Sequence, residues 1–437
     1  MTRIGTAAVV LAMALSCVQP KEGSDAAAGA VPAEGTGAPP DPISLAVPGT
    51  LNRMPSVGVL GSRVVVVWTS TANDAMDVYA SISEDGAATF SEPRRVNDRP
   101  GDVSSNAEQP PRVAVSDSAI SVIWPSRLDG ASAIRLSRST DGGRTFSAAR
   151  TLSPASATGA RGWQGLTAGR DGVVHAVWLD GRNAAPSSGA HQHHGAAAKG
   201  ARQAHASAPR QDVYQATIAP DGAIVESQVA RDVCFCCKTA IGVGPGGGVT
   251  IAWRHIFPES MRDIAIATSA DGGRTFGQAV RVHEDKWQLS GCPDDGPAMT
   301  IDPAGVTHLA WPTLVGQDTP QKAVVYAFTR DGRTFDPRVR LSSESQEDAA
   351  HPQVASDAGG SIGVVWDEQE GDVRRIALRT APAGSQQFGP PRTLNTEGSA
   401  FHPVIAGLRE GFVTAWAGGT ASQSAIVVQR AAYERLR

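Results

Sequence analysis

One short pattern recurs along this chain and constrains its fold more than any other feature. Residues 139–146 (STDGGRTF) and 269–276 (SADGGRTF) are close copies, and residues 83–90 (SEDGAATF) and 329–335 (TRDGRTF) are looser ones. In such a segment the Asp side chain bonds nearby backbone amides, and Gly supplies the positive φ of a tight turn. The Phe at the end of each copy is expected to return to the core. A repeat of this kind predicts a modular architecture with one hairpin at each copy.

A second repeat overlays the first and sets the number of modules. Seven β-branched or apolar runs end in a tryptophan, and these residues are spaced by 50 to 75 positions: Trp68, Trp124, Trp178, Trp253, Trp311, Trp366 and Trp416. Such runs between Gly-rich turns are typical of strands, and four strands per unit at this period describe propeller blades. We therefore predict an all-β, seven-bladed β-propeller over residues 43–437. The last unit has three strands, and residues 43–47 are expected to close its sheet as the fourth.

The octapeptide is the Asp box, or BNR repeat, and the chain resembles the sialidase-like β-propellers that carry it. A CxCC motif at 234–237 and a CPxDG motif at 292–296 are also similar to a recurring pattern of exported bacterial proteins in that group. The resemblance implies six blades as the alternative to seven. It also implies that the Asp boxes are structural turns on the face away from the ligand site. Asp85, Asp141, Asp271 and Asp331 are therefore given no catalytic role.

The N-terminal residues predict export. Residues 1–17 have a charged start, an apolar run too short to span a bilayer, and a loose lipobox (ALSC), which is typical of a lipoprotein signal peptide. Cys17 would then carry the lipid, although cleavage by an ordinary signal peptidase stays open. Residues 18–42 are rich in Ala, Gly, Pro and Glu and predict a flexible tether. We expect a periplasmic or cell-surface protein that meets the membrane only through its lipid anchor.

Charge and composition narrow the range of partners. The formal net charge of −4 and the lack of a basic stripe argue against nucleic-acid binding. The 47 glycines and 29 prolines suit a turn-rich β protein, which we expect to be a monomer. One departure from the repeat is a His-rich insertion at about residues 184–210, which carries His191, His193, His194 and His205. It predicts a surface loop of low complexity.

Propeller geometry predicts which residues surround the central channel. The first strand of each blade lies nearest the axis, so the residues just before it form a ring at one mouth. Read blade by blade, that ring is Arg53, Gln109, Trp163, the CxCC segment 234–237, the segment 292–295, His351 and His402. All four cysteines of the body and two equivalent histidines thus belong to the same predicted face.

Two interpretations of these residues stay open. Thiolates and imidazoles are ligands of soft and borderline metals, so Cys234, Cys236, Cys237 and Cys292 with His351 and His402 predict a metal site, with copper the first choice and zinc the second. Alternatively, four cysteines in an exported protein form two disulfides. Neighbours Cys236 and Cys237 cannot bridge each other without strain, so one of them would pair with Cys292.

The sialidase resemblance implies a different site on the same face. Arginines would grip a carboxylate, an acid would donate a proton and a tyrosine would act as nucleophile. The matching candidates are Arg53, Arg127, Arg182 and Arg254 for the arginines, and Asp180, Asp367 or Glu368 for the acid. The nucleophile has no counterpart, since Tyr79, Tyr214 and Tyr326 fall inside predicted strands and Tyr433 lies in the C-terminal tail.

The interpretation favoured by the sequence is a binding protein rather than an enzyme. Its ligand would be a metal ion or small molecule held at the mouth of the channel by the Cys/His site. The alternatives are a sialidase-like glycoside hydrolase or glycan-binding protein, and a disulfide-stapled platform for protein interactions.

Overall fold

The seven tryptophans predicted to end strands lie in the second strand of seven separate sheets, and all are at most 3% exposed. The computed structural model describes residues 41–128, 130–154, 158–184, 210–288, 295–316, 321–344, 347–420 and 424–432. The signal peptide with Cys17, most of the tether, nearly all of the His-rich insertion, Cys292 and Tyr433 lie outside these ranges. Among the described residues no helix is long and apolar enough to cross a membrane.

Each sheet has four antiparallel strands and forms one blade. Blade 1 contains β2 (Leu51–Leu60), β3 (Arg63–Ala72), β4 (Ala75–Ser83) and β5 (Arg94–Arg95). Blade 2 contains β6 (Arg112–Val115), β7 (Ile120–Leu128), β8 (Ala131–Ser139) and β9 (Arg150–Thr151). Blade 3 contains β10 (Arg161–Ala168), β11 (Val174–Asp180), β12 (Arg210–Ile218) and β13 (Ile224–Cys234). Blade 4 contains β14 (Ala240–Val243), β15 (Val249–Arg254), β16 (Ile264–Ser269) and β17 (Val280–Arg281), with a short 3₁₀ turn at Pro258–Ser260.

The remaining blades repeat the same plan. Blade 5 contains β18 (Ala298–Ile301), β19 (Thr307–Val315), β20 (Gln321–Thr329) and β21 (Val339–Arg340). Blade 6 contains β22 (Glu347–Ser356), β23 (Ile362–Glu370), β24 (Val373–Ala381) and β25 (Arg392–Thr393). Blade 7 contains β26 (Phe401–Gly407), β27 (Phe412–Gly419), β28 (Ser424–Ala431) and the N-terminal β1 (Ile43–Leu45). The prediction of seven blades is confirmed, and the six-bladed alternative is wrong.

The two ends of the propeller join in blade 7, as predicted. β1 pairs antiparallel with β28, with Ile43 opposite Val428 and Leu45 opposite Ile426. A further hydrogen bond joins blade 1 to blade 7, because the backbone amide of Asn52 donates to Ser424 Oγ at 2.6 Å. These contacts satisfy a strand edge that would otherwise stay unpaired.

One detail of the strand prediction needs correction. The second strand of a blade does not end at its tryptophan: β3 continues from Trp68 to Ala72, and β7 continues from Trp124 to Leu128. The polar residues after Trp68 still pair with β4, for example Ser70 with Asp77. Backbone pairing therefore carries the strand beyond the point where the apolar pattern stops.

The Asp boxes form the predicted turns between the third and fourth strands. In the copy between β8 and β9, Asp141 Oδ1 accepts from Thr145 N at 3.0 Å and from Ser139 Oγ at 2.8 Å, while Asp141 Oδ2 accepts from Thr145 Oγ1 at 2.6 Å. Gly143 has φ +86°, and a Cβ there would collide with Ile82 of blade 1. Phe146 then packs against the core shared by blades 1 and 2.

Candidate functional site

The first strands of all seven blades line a central channel. Its wall includes Val57, Val113, Leu166, Ile241, Met299, Val354 and Ile405, one residue from each blade. A smaller cavity lies at one end of the channel and shares Arg112, Gln353 and Val404 with it. This cavity, the channel mouth, is also lined by Met54, Lys238, His351 and His402. The structure thus places both predicted histidines where the repeat position indicated.

A backbone irregularity recurs near the start of the first strand in four blades. Met54, Trp163, His351 and His402 all have positive φ, between 52° and 57°, although none is glycine. Each lies at a register shift near the start of β2, β10, β22 or β26. A bulge of this kind re-aims one side chain, and strained backbone of this sort gathers at functional sites. Met54, His351 and His402 line the mouth, whereas Trp163 packs against the cysteines.

Two histidines and a glutamate converge at the mouth. One ligand atom each from Glu108, His351 and His402 lies within 4.8 Å of the others. His351 Nε2 is 3.0 Å from Glu108 Oε1, and the two imidazole rings have centroids 4.0 Å apart. Glu108 comes from the segment before β6, whereas the histidines come from β22 and β26. We call Glu108, His351 and His402 the histidine–glutamate cluster.

Asp367 of β23 bonds to both histidines of this cluster. Its carboxylate accepts from His351 Nδ1 at 2.8 Å and from the backbone amide of His402 at 2.8 Å. Arg374 Nε donates to the same carboxylate at 2.6 Å. Because Asp367 is fully buried and contacts both histidines, it fixes the orientation of His351 and the start of β26 together.

The two histidines differ in charge. Burial opposes the charge of His351, but the hydrogen bonds to Asp367 and Glu108 outweigh it and raise the pKa to about 9. Burial and the neighbouring His351 lower the pKa of His402 to about 4. At neutral pH the mouth therefore holds one imidazolium beside one neutral imidazole.

Lys238 and Asp295 complete the charges around the mouth. Lys238 Nζ is 2.7 Å from Asp295 Oδ1 and 3.7 Å from Glu108 Oε2. Burial opposes the charge of Asp295, but Lys238 and then His351 hold its pKa well below the usual range. Asp295 also accepts from the backbone amide of His351 at 2.7 Å. Asp295 and Asp367 thus play equivalent roles, since each fixes the histidine of the next blade.

The cysteines form a second group, which we call the cysteine cluster. Cys234 ends β13, and Cys236 and Cys237 follow in the connection to β14; all three are at most 3% exposed. Cys234 Sγ lies 3.6 Å from Cys237 Sγ and 3.9 Å from Cys236 Sγ. Cys234 and Cys237 are free thiols, whereas Cys236 is disulfide-bonded.

A neighbouring thiol and two guanidinium groups act on the charge of Cys234. Arg262 Nη1 donates to Cys234 Sγ at 3.0 Å. The hydrogen bond from Cys237 outweighs burial and, with Arg262 and Arg254, lowers the pKa of Cys234 to about 6. Burial, followed by the contact with Cys234, raises the pKa of Cys237 well above its ordinary value. Two neighbouring thiols thus have opposite protonation preferences.

The predicted metal residues are distributed over these two clusters. His351 and His402 converge with Glu108, and Cys234, Cys236 and Cys237 converge with each other. Lys238, which follows Cys237 directly, contacts Glu108 and so links the clusters. Cys292 lies outside the described residues.

The residues implied by the sialidase resemblance have other contacts. Arg182 pairs with Asp180 and Glu226, both at 2.6 Å, and the same Asp180 also accepts from Arg161. The buried Arg254 donates to the carbonyls of Arg262, Asp295 and Pro312. Arg53 and Arg127 are exposed.

Glu108, Lys238 and Arg262 were not singled out in the sequence. For blade 2 the repeat register predicts Gln109 at the mouth. Glu108, the residue directly before it, is the one that meets the histidines. Asp367 was a candidate proton donor, and the structure instead shows it bonded to His351. Arg262 lies in the connection between β15 and β16, and no local pattern marks it as a partner of Cys234.

Comparison with known proteins supports the fold. No protein-family model and no curated protein matches the chain. Among solved structures, a polysaccharide lyase described as a PL25 ulvan lyase superposes with a TM-score of 0.55 at 10% identity, covering 90% of this chain and 96% of that one. The polysaccharide lyase Uly1 superposes with a TM-score of 0.52 at 12% identity, covering 86% and 88%.

A third match is the sialidase of Trypanosoma rangeli in complex with sialic acid. Its TM-score is 0.46 at 14% identity, with coverage of 75% of this chain and 54% of that one. This likeness is too low to support a comparison of sites. The chain therefore shares a β-propeller fold with polysaccharide lyases.

Proposed function

We propose that this protein binds a divalent transition-metal ion at the channel mouth through His351, His402 and Glu108. The observation that carries the proposal is the approach of one ligand atom from each residue to within 4.8 Å of the others. Metal–ligand bonds of about 2.0–2.2 Å place the ligand atoms of one ion roughly 3–3.5 Å apart, so rotamer adjustments bring these three side chains onto an ion.

The partners of the cluster favour the same role. Metal-binding histidines donate their second ring nitrogen to a carboxylate, which fixes the tautomer and aims the other nitrogen at the ion. His351 Nδ1 has such a partner in Asp367 at 2.8 Å, and its Nε2 points toward Glu108. The arrangement leaves His351 Nε2 and the His402 ring as the two imidazole ligands, and His351 would release a proton when the ion binds.

The ligand set selects the type of metal. Two imidazoles and one carboxylate suit Zn(II) or Cu(II), and Cu(II) binds such a set more tightly than its first-row neighbours. The proposal keeps the two histidines of the sequence prediction and takes Glu108 in place of the cysteines. Cys236 is disulfide-bonded, and the positive charges of Arg262 and Arg254 near Cys234 oppose a further cation there. With the predicted signal and lipid anchor, the chain would be an exported metal-binding protein.

Metal titration of the purified protein tests this function. After removal of metal with a chelator, Cu(II) and Zn(II) are titrated calorimetrically into the parent protein, His402→Ala and Glu108→Gln. We expect one site per chain and a loss of affinity of at least about tenfold in each variant. His283→Ala is the matched control, because His283 bonds Asp285 outside the histidine–glutamate cluster.

The His-rich insertion requires a second background for this experiment. His191, His193, His194 and His205 offer further imidazoles, so the titrations are repeated with these four residues replaced by Ala. Unchanged affinity in His402→Ala and Glu108→Gln within that background would contradict the proposal.

A second candidate function is binding or cleavage of an acidic polysaccharide at the same mouth. Two neighbours in fold are polysaccharide lyases, and a related structure was solved bound to -[GlcA(1-4)Rha3S]-. The cations Lys238 and Arg112 line this mouth, and cations attract the carboxylate of a uronic acid. The neutral His402 beside them is a base.

Incubation with uronic-acid polysaccharides tests this candidate. Eliminative cleavage would give an unsaturated product with ultraviolet absorbance, and the absorbance would not rise with His402→Ala. Depolymerisation that persists after chelation would favour the glycan function over the metal function. Absence of both cleavage and retention on immobilised polysaccharide would exclude it.

A further inference from the structure

One arginine at the central channel keeps part of its hydrogen-bonding capacity unused. Arg112 begins β6 and lines both the channel and its mouth. Its Nε donates to the carbonyl oxygen of Gln164 at 3.1 Å. Among the residues that the structure describes, its two terminal nitrogens have no hydrogen-bond or salt-bridge partner. Those nitrogens form the edge of a guanidinium that holds oxyanions in a bidentate manner.

The charge of Arg112 differs from the other positive charges at the mouth. Lys238 Nζ lies 2.7 Å from Asp295, and His351 Nδ1 lies 2.8 Å from Asp367, so both cations are directly paired. Burial lowers the pKa of Arg112 to about 10, which still leaves the guanidinium charged at neutral pH. A desolvated charge without a direct counter-ion is unfavourable, so an anion bound beside it is stabilised.

A second polar side chain of the channel shares this property. Gln353 of β22 lines both the channel and the mouth, as Arg112 does. Within the described part of the chain, its side-chain amide makes no hydrogen bond. The two residues come from blades 6 and 2, so they face the channel from different sides. An anion between them accepts from the guanidinium on one side and from the amide on the other.

The channel wall determines what kind of anion fits. Its described lining residues include no carboxylate, and most of them are apolar, such as Val113, Leu166 and Ile241. The cavity has a volume of about 160 Å³. A water molecule takes up about 30 Å³ in the liquid, so the cavity has room for a small organic molecule. A charged head with a short apolar tail matches this combination of one cation and an apolar wall.

We propose that the channel binds a short-chain aliphatic carboxylate, with its head held by Arg112 and Gln353 and its tail against the apolar wall. The terminal nitrogens of Arg112 donate to the two carboxylate oxygens, and the amide of Gln353 donates to one of them. This site goes beyond the proposed metal function, because neither residue belongs to the histidine–glutamate cluster. It also differs from a polysaccharide site at the mouth, because the wall contacts an apolar chain rather than sugar hydroxyls.

Ligand-observed NMR on the chelator-treated protein tests this site. Acetate, propionate and butyrate are titrated in a buffer free of other carboxylates, with butyramide as the uncharged analogue. We expect the affinity to rise about three- to fourfold with each added methylene, because each one removes apolar surface from water. Butyramide should bind at least about tenfold more weakly than butyrate, because it lacks the charge. An affinity independent of chain length, or equal binding of butyramide, would overturn the proposal.

Two variants test the two contacts with the carboxylate. Arg112→Gln should weaken butyrate binding by at least about tenfold, and Gln353→Leu, which keeps the charge, by about three- to tenfold. Arg63→Gln is the matched control, because Arg63 pairs with Glu84 at 2.9 Å in an exposed position. Unchanged butyrate affinity in Arg112→Gln would refute the proposal. If that variant does not fold, the chain-length series in the parent protein and Gln353→Leu decide the matter.

These results are separate from the metal titrations. The protein carries no added metal in this experiment, and the histidine–glutamate cluster is intact in both variants. Failure of carboxylate binding therefore leaves the metal function untouched, and failure of metal binding leaves the channel site untouched.

Discussion

His351 and His402 lie on neighbouring blades with their ring centroids 4.0 Å apart, yet at neutral pH the first is charged and the second is neutral. Asp367 is responsible for the arrangement, because it bonds the ring of the first and the backbone amide of the second. The two pKa values differ because of what each ring contacts. His351 bonds the carboxylates of Asp367 and Glu108, whereas His402 lies beside the charged His351. Four predictions follow from this cluster and from the blades that support it.

Asp367 is expected to act as a positioning residue for the metal site. Asp367→Asn removes the charge behind His351 Nδ1 and should lower metal affinity by about 10–100-fold in the calorimetric titration. Glu368→Gln is the matched control, since it removes a carboxylate one residue away that accepts from Trp366 at 2.6 Å. Equal losses of metal affinity in the two variants would show that any nearby negative charge supports binding, and that the contact of Asp367 with His351 is not required.

Trp366 is expected to hold blades 5 and 6 together. It is fully buried in a core that includes Val324 of β20 and Val364 of β23. Trp366→Ala should cost about 3–5 kcal/mol of unfolding free energy, measured by denaturant titration. Trp366→Phe keeps most of the apolar contact but loses the bond to Glu368, and should cost about 1 kcal/mol. The exposed Val225→Ala should change stability by less than about 0.5 kcal/mol.

The Asp-box turns should contribute to stability only where their carboxylates are ionised. The side chain of Thr145, then its backbone amide and Ser139, hold the pKa of Asp141 well below the usual value of about 3.9. Its contribution is therefore present above about pH 4 and is lost as the pH falls toward the folded-state pKa. The difference in urea midpoint between the parent and Asp141→Asn should shrink between pH 7 and pH 3. Asp117→Asn, in the exposed turn after β6, is the matched control for the loss of one surface carboxylate.

Gly407 is expected to be required at the seam between blades 6 and 7. A Cβ at this position would collide with the carbonyl oxygen of Ser356 at the end of β22. Gly407→Ala should therefore shift one blade and cost about 1–3 kcal/mol, measured as a lower melting temperature. Gly246→Ala is the control, because a Cβ there meets nothing within 4 Å. A normal melting temperature for Gly407→Ala would mean that the seam adjusts freely.

The architecture was predictable because its determinants are local and repeated. Each Trp-bearing run is a strand because of its own β-branched residues, and each Asp box is a turn because its Asp and Gly residues act on nearby backbone. Counting these units gave seven blades, and the incomplete last unit indicated the closure by β1. The extension of β3 and β7 beyond their tryptophans was not predictable, since it depends on pairing with the next strand rather than on apolar pattern.

The composition of the site was predictable only in part. The repeat register placed His351, His402 and the CxCC segment at one mouth, because equivalent positions in equivalent blades share a radius and a height. The register did not predict that the histidines and the cysteines form two separate clusters. That separation depends on which blades are neighbours around the ring and on the direction of each side chain. Glu108 and Arg262 were not predicted, because the segments that contain them carry no motif.

The sequence by itself thus determined the number of blades and the closure of the ring, and it predicted a common face for Cys234, Cys236, Cys237, His351 and His402. Only the tertiary structure decided that Glu108 meets the two histidines, that Asp367 orients them, and that Arg262 faces Cys234. These contacts join residues far apart in the chain, and their charge states follow from the burial and the neighbours that folding brings together.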